Sequence, residues 1–172
     1  MTADYTQIIE GCRRHDRKAQ QALYEAMAPM AMGVCMRYAN DRDEAQDLLQ
    51  DGFVRVFERI GQMRDPERLA AWVYQLMLNV SLRHYHRKMR RKSIEMEAME
   101  QEVTLPLDPF ANEEIVAALQ RIAPAQRMAF NLVTVEGYSY ADAAEKMNCS
   151  EVNVRALCSR AKMELRNLLK AK

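Results

Sequence analysis

The stretch Ser139 to Ala161, SYADAAEKMNCSEVNVRALCSRA, reads as two short helices joined by a tight turn. Ser139 is followed three residues later by Asp142, a variant of the capping box that opens a helix. Ala143, Ala144 and Met147 then fall at helical spacing. Asn148 stops the run, because after glycine asparagine best tolerates the left-handed conformation that a helix end needs. Ser150 offers a fresh N-cap. Val154, Leu157, Cys158, Ala161 and Leu165 then make one apolar stripe at spacings of three, four and seven.

The other face of this second helix carries Asn153, Arg155, Ala156, Ser159, Arg160 and Lys162, all small, polar or basic. That is the pattern of a helix-turn-helix whose second helix enters a major groove. The helix N-terminus presents backbone donors to phosphate, and the first exposed side chains reach base edges. A plain helical hairpin with a solvated face would share the same spacing. The rest of the chain has to decide between the two.

At 172 residues the chain holds one domain or two small ones. Hydrophobic residues at 49%, charged residues at 28% and only five Gly and five Pro argue for helices rather than sheet. The fold class expected is all-α. The longest apolar stretch, Ala26 to Met36, contains Pro29 and is too short to cross a membrane. The first residues, MTADYTQIIEG, lack a basic region followed by an apolar core, so no secretory signal is read and a cytoplasmic location is expected. Cys12, Cys35, Cys149 and Cys158 form no CxxC pair, and the three histidines are scattered. Buried thiols are expected rather than a metal site, and no cofactor.

The net charge of +1 conceals a strong segregation. Arg83 to Lys92, RHYHRKMRRK, holds six Lys or Arg and no acid, whereas Ile94 to Glu114 holds seven acids and no base. From Arg155 onward there are six bases against one acid, Glu164. Two basic surfaces joined by an acidic connector follow from this pattern.

In chain order, Tyr5 to Cys12 starts a first helix, and Asp16 opens a second that runs to Asn40-Asp41 with Pro29 inside it. Asp43 begins DEAQDLLQDGFVRVFERIGQM, whose apolar side is Ala45, Leu48, Leu49, Phe53, Val56, Phe57 and Ile60. Asp47, Gln50, Asp51, Val54 and Glu58 occupy the other side. Gly52 inside this helix costs about 1 kcal/mol against Ala, so a close neighbour is expected there. Met63 to Arg68 is a loop, since Pro66 disfavours helix at Asp65. Leu69 restarts a helix that is apolar in its first half and basic in its second. Asn79, Arg83, Arg87 and Arg90 recur at spacings of four, four and three, which puts them on one face. Cations with interleaved rings suit a nucleic-acid backbone and unstacked bases, although cations also favour any helix C-terminus. Domain boundaries are read at 1–92, an acidic linker over 93–112 carrying Pro106 and Pro109, and 113–172. Pro124 at a first helical position and a stop at Gly137 precede the helix-turn-helix.

At this point Asp43 to Arg91 resembles the promoter-melting domain of sigma factors, through DEAQDLLQDGFVRVF, AAWVYQLMLNVSL and the Arg run. Ile122 to Leu169 resembles their second DNA-binding domain. With only a linker between, the layout is similar to the extracytoplasmic-function (ECF) group of the sigma-70 family. The resemblance implies a promoter-specific initiation factor, not an enzyme. It implies docking of Asp47, Gln50, Asp51 and Phe53 on the clamp helices of the largest subunit of core RNA polymerase. It implies that Met63, Arg64 and Asp65 pocket a flipped −10 base, with Asn79, Arg83 and Arg87 on the −10 strand. Asn153, Arg155, Ala156, Ser159, Arg160 and Lys162 fall at the −35 positions. An anti-sigma factor is the further partner implied, and a monomer is expected for the free chain. Arg83, Asn153, Leu157 and Gly52 depart from the usual family residues, which bears on the promoter sequence read. Two rivals predict otherwise: a dimeric regulator that binds duplex DNA unaided, and a protein-binding helical adaptor that makes no DNA contact.

Overall fold

A computed structural model of the chain describes residues 5–94 and 113–170, with side chains for 5–91 and 114–170. The linker lies almost wholly outside the described residues. The N-terminal half is four helices: α1 (Thr6–Arg13), α2 (Arg17–Tyr38), α3 (Arg42–Arg59) and α4 (Leu69–Ile94). Asp16 caps α2 by accepting the Lys18 N–H at 3.1 Å, and Asp41 caps α3 by accepting the Glu44 N–H at 2.8 Å. Helix α3 thus starts one residue earlier than the acidic run predicts. Helix α2 continues through Pro29. Helices α2, α3 and α4 pack on one another, and α1 lies on α2. Their shared core is built from Leu23, Val34, Leu48, Val56, Leu69, Val73, Met77 and Leu78, each at most 1% exposed.

Gly52 has the close neighbour its position predicts. A Cβ there would lie 2.2 Å from the Met77 sulfur, so glycine is what lets the Met77 side chain sit directly on α3.

Glu44 holds the end of α2 and the middle of α4 to α3. Its carboxylate accepts from His84 Nε2 at 2.7 Å, Lys88 Nζ at 2.8 Å and the Asn40 N–H at 2.5 Å. Burial pushes its pKa up, but the hydrogen bonds from His84, Lys88 and Asn40 outweigh this and bring it from 4.5 down to about 2. A depressed carboxyl stabilises the fold above its ordinary value and loses that contribution as pH falls toward the folded value. Acid should therefore remove on the order of 3 kcal/mol between pH 4.5 and 2, at about 1.4 kcal/mol for each pH unit. Denaturant midpoints at pH 7 and pH 3 check this, since Glu44→Gln should lower the first and flatten the difference.

The C-terminal half is α5 (Glu113–Arg121), α6 (Pro124–Phe130), α7 (Tyr140–Met147) and α8 (Glu151–Lys170). Among the described residues there is no strand. Pro124 stands at the start of α6 as its fixed φ favours. Helix α6 then widens into a π-turn over Asn131–Val135, closed by the Glu136 N–H to the Asn131 carbonyl at 2.9 Å. Gly137, at φ 78°, ends it. Ala118, Leu119, Ile122, Ala161 and Leu165 form a core private to this half.

The two halves pack together, α2 against α5 and α6, and α4 against α7. The seam is partly apolar and conspicuously polar. Glu136, with a side chain 7% exposed, accepts from Tyr38 Oη at 3.1 Å and from Tyr74 Oη at 2.8 Å, and faces Arg37 Nη2 at 3.6 Å. Asn131 Nδ2 donates to the Arg37 carbonyl at 2.7 Å. Arg127, only 2% exposed, donates to Asn40 Oδ1 and to the Leu119 carbonyl. His86 Nε2 donates to the Lys146 carbonyl at the end of α7, at 2.7 Å. Burial, then the neighbouring Glu136, pushes both tyrosine hydroxyls up, Tyr74 to about 12, so both stay protonated donors. Burial brings Arg127 down to about 10, still charged at neutral pH.

Candidate polymerase and nucleic-acid interfaces

The helix-turn-helix forms as its sequence predicts. Ser139 Oγ accepts the Asp142 N–H at 3.0 Å, and Asn148 takes the left-handed conformation at φ 54° and ψ 49°. Ser150 Oγ accepts the Asn153 N–H at 3.2 Å and so opens α8. Val154, Cys158, Ala161 and Leu165 are buried, and Leu157 half-buried. Asn153, Arg155, Ser159, Arg160 and Lys162 are exposed together on the opposite face, with Ala156 half-buried beside them. Arg155 is the most constrained of this set. Its Nε and Nη2 both donate to Glu151 Oε1, at 3.1 and 2.5 Å, and its guanidinium carbon lies 4.3 Å from the centre of the Tyr140 ring.

Helix α4 presents Asn79, Arg83, Arg87 and Arg90 to solvent along one side, about 17 Å at 1.5 Å per residue. The buried first half of the helix holds this row in place. The cationic run is divided, however. His84 and Lys88 turn inward to Glu44, so four-residue spacing also serves the fold on the adjacent face. Arg87 approaches Asp51 at 3.9 Å, but with both side chains 56% exposed the pair is worth at most about 1 kcal/mol. Trp72 is half-buried against the core, as its apolar setting predicts.

The 63–65 loop is extended at Asp65, φ −117° and ψ 98°, as the residue before Pro66 must be. Its carboxylate accepts the Glu67 N–H at 3.1 Å and pairs with Arg68 Nε at 3.4 Å. Arg64 and Asp65 are exposed. Met63 differs from the expectation of a base-facing side chain. It is 5% exposed and belongs to the core, while its carbonyl accepts from Arg13 Nη2 on α1. A thioether flanked by polar residues is still the most apolar group of the loop, and the space beneath it is filled by burying it.

On α3, Asp47, Gln50 and Asp51 are exposed, and Asp51 faces Arg87 on α4. Phe53 is 4% exposed, its ring 4.6 Å from that of Tyr24, so it too is core. The exposed apolar groups here are Val54 at 57% and Tyr24 at 42%. Val54 was legible, as the one aliphatic residue on the polar side of its helix. Tyr24 was not, since its helix is apolar on several sides.

Cys12, Cys35 and Cys158 are buried free thiols and Cys149 is half-buried. Burial pushes Cys35 up to about 12. Among the described residues no cluster of His, Cys, Asp and Glu could hold a metal ion, and no helix is long and apolar enough to cross a membrane.

Family comparison joins these surfaces. The Sigma-70 region 2 model matches residues 23–91, and the model of Sigma-70, region 4 matches residues 112–165. These are the segments that carry the α3/α4 surfaces and the helix-turn-helix. The chain is an ECF sigma factor of the sigma-70 family. Like other sigma factors it is a DNA-binding, RNA polymerase-binding initiation factor and not an enzyme. This sigma factor is 26% identical over 171 residues to the RNA polymerase sigma-H factor of Pseudomonas aeruginosa, covering 91% of this chain and 89% of that one. It is 28% identical over 149 residues to the ECF RNA polymerase sigma factor EcfG of Rhodopseudomonas palustris, covering 84% and 81%. Its fold is similar to that of the sigma factor RpoE of Bartonella quintana, solved in complex with the anti-sigma factor NepR. That match has a TM-score of 0.55 at 22% identity and covers 87% of this chain and 96% of that one.

Proposed function

We propose that this sigma factor docks on the clamp helices of core polymerase through Asp47, Gln50 and Asp51, reads −35 with α8, and captures the opened −10 strand. In the last role Arg64 and Asp65 receive an extruded base while Asn79, Arg83 and Arg87 follow the strand. The observation that carries the reading is the row Asn79, Arg83, Arg87, exposed on a helix anchored in the core by Leu69, Val73, Met77 and Val80. A rigid row of donors beside a non-helical loop can trap unstacked bases, so binding energy opens the duplex. Phe53 and Met63 enter only by supporting these surfaces from the core. An anti-sigma factor is proposed as a further partner by analogy with the Bartonella complex, and a monomer in the cytoplasm is the free form that fits.

Run-off transcription with purified core polymerase on a promoter library tests the whole reading, and no transcript from any promoter would refute it. Two variants test its parts. Arg155→Ala should weaken binding by about 1–3 kcal/mol at one base pair if it reads a guanine. An equal loss on every sequence would make it a phosphate contact instead. Asp51→Lys should reduce co-purification with core polymerase while the melting temperature stays near that of the parent, since Asp51 is exposed and its one ion pair is weak.

A further inference from the structure

Arg155 is held before any DNA arrives, and neither of the groups that hold it is among the residues assigned to base reading. Of its five N–H donors, the Nε hydrogen and one Nη2 hydrogen point at Glu151 Oε1. Tyr140, the first residue of α7, covers one face of the guanidinium at 4.3 Å. Three donors remain, all at the outer end of the fork, where Nη1 and Nη2 can meet two acceptors of one base. An arginine with a free side chain has to lose its rotamer freedom on binding, whereas this one, though 58% exposed, is already biased toward one orientation by the Glu151 pair and the Tyr140 ring. Glu151 also puts a negative charge at the start of α8, next to where phosphates would run, and so opposes binding that lacks the base contact.

We infer that Tyr140 and Glu151 are positioning residues that make Arg155 selective. Tyr140 fixes the plane of the guanidinium, and Glu151 occupies its inner edge while repelling nonspecific DNA. The inference rests on the proposed −35 role of Arg155. It separates from a plain structural role by base specificity. A first-turn acid that only supported α8 would, on removal, change binding to all DNA alike and leave the preference at every base pair as it was. As a positioning residue, Glu151 should on removal raise binding to unrelated DNA and lower discrimination at one base pair.

The test uses the full chain with core polymerase and a DNA library randomised over the upstream element, with bound DNA sequenced. Glu151→Gln and Tyr140→Leu should each cut the preference at the Arg155 base pair by about fivefold or more, near the low end of what one bidentate contact provides. Tyr140→Phe, which keeps the ring, should restore it. In the Arg155→Ala background neither change should have a further effect at that base pair. Melting curves of each variant should stay near the parent. A base-specific loss in Arg155→Ala with none in Tyr140→Leu or Glu151→Gln would overturn this inference and leave the −35 reading standing. No base-specific loss in Arg155→Ala would overturn the −35 reading itself. A changed preference at a neighbouring base pair in Glu151→Gln would show that Glu151 reads a base directly, also against the inference.

Discussion

Replacing Glu136 by Ala is expected to part the two halves of the molecule without unfolding either. Among the described residues the polar partners of its carboxylate, Arg37, Tyr38 and Tyr74, all come from the N-terminal half. Removing one member of a buried charged group leaves the others desolvated and costs about 3–5 kcal/mol. That cost falls on the seam rather than on either core, because Glu136 closes the π-turn through its backbone and not its side chain. The seam keeps apolar burial in reserve, because Met128, Ala129 and Leu132 share one cluster with the N-terminal core, so the change should shift the balance toward parted molecules rather than part all of them. Three of the four buried side-chain polar atoms that lack a partner among the described residues, Arg37 Nε, Gln120 Oε1 and Asn131 Oδ1, lie along it. Small-angle scattering should therefore show a larger radius for Glu136→Ala at unchanged helicity. Elements at −35 and −10 lie about 85 Å apart along duplex at 3.4 Å per base pair, farther than a packed 172-residue chain can reach. The parted form is then the one suited to promoters, and the variant should bind polymerase more tightly by the fraction of closed molecules removed. An unchanged radius would refute this account of the seam.

The second large effect lies in the 63–65 loop, where neighbouring residues should fail in different ways. Met63→Ala removes a buried side chain and should cost about 2–5 kcal/mol of stability, lowering the melting temperature by several degrees. Arg64→Ala touches no core group and should leave the melting temperature alone. Asp65→Asn keeps an acceptor for the Glu67 N–H and should do the same. Extruding a base costs a few kcal/mol, which the pocket has to return for opening to proceed. Arg64→Ala with Asp65→Asn should accordingly keep closed-complex binding, yet sharply reduce permanganate reactivity of −10 thymines and run-off transcript. A template already mismatched across −10 should recover part of the activity. Opening of linear promoters at the parent rate would make the loop a mere connector.

How far the sequence could be read depended on the distance over which each residue finds its partner. Ser139, Asn148, Ser150, Asp16 and Pro124 act on backbone within three or four residues, and each did what its local chemistry predicts. The exposed row on α4 followed from helical period alone. Arg127, Asn131 and Glu136 did not follow. In sequence they are a charge, an amide and an acid on a helix end, and they are buried only because Asn40, Arg37 and Tyr74 stand opposite. These partners are 62 to 94 residues away. Periodicity also assumes 3.6 residues per turn, and the π-turn over Asn131–Val135 changes which residues face α2. Met63 was misplaced for a related reason. Its neighbours are polar, and only the tertiary gap beneath the loop draws it in.

The contact between Gly52 and Met77 has a mechanical meaning. Gly52 follows Asp51, at the surface proposed for polymerase, and the buried Met77 lies two residues before Asn79, which is at the surface proposed for the melted strand. Close-packed interiors are stiff and transmit displacement with little slack. With the end of the Met77 side chain seated against the bare Cα of Gly52, α3 and α4 pack closely at this crossing and are expected to move together. A tilt imposed on α3 by docking would carry the arginines of α4 with it, fixing the angle at which they meet DNA.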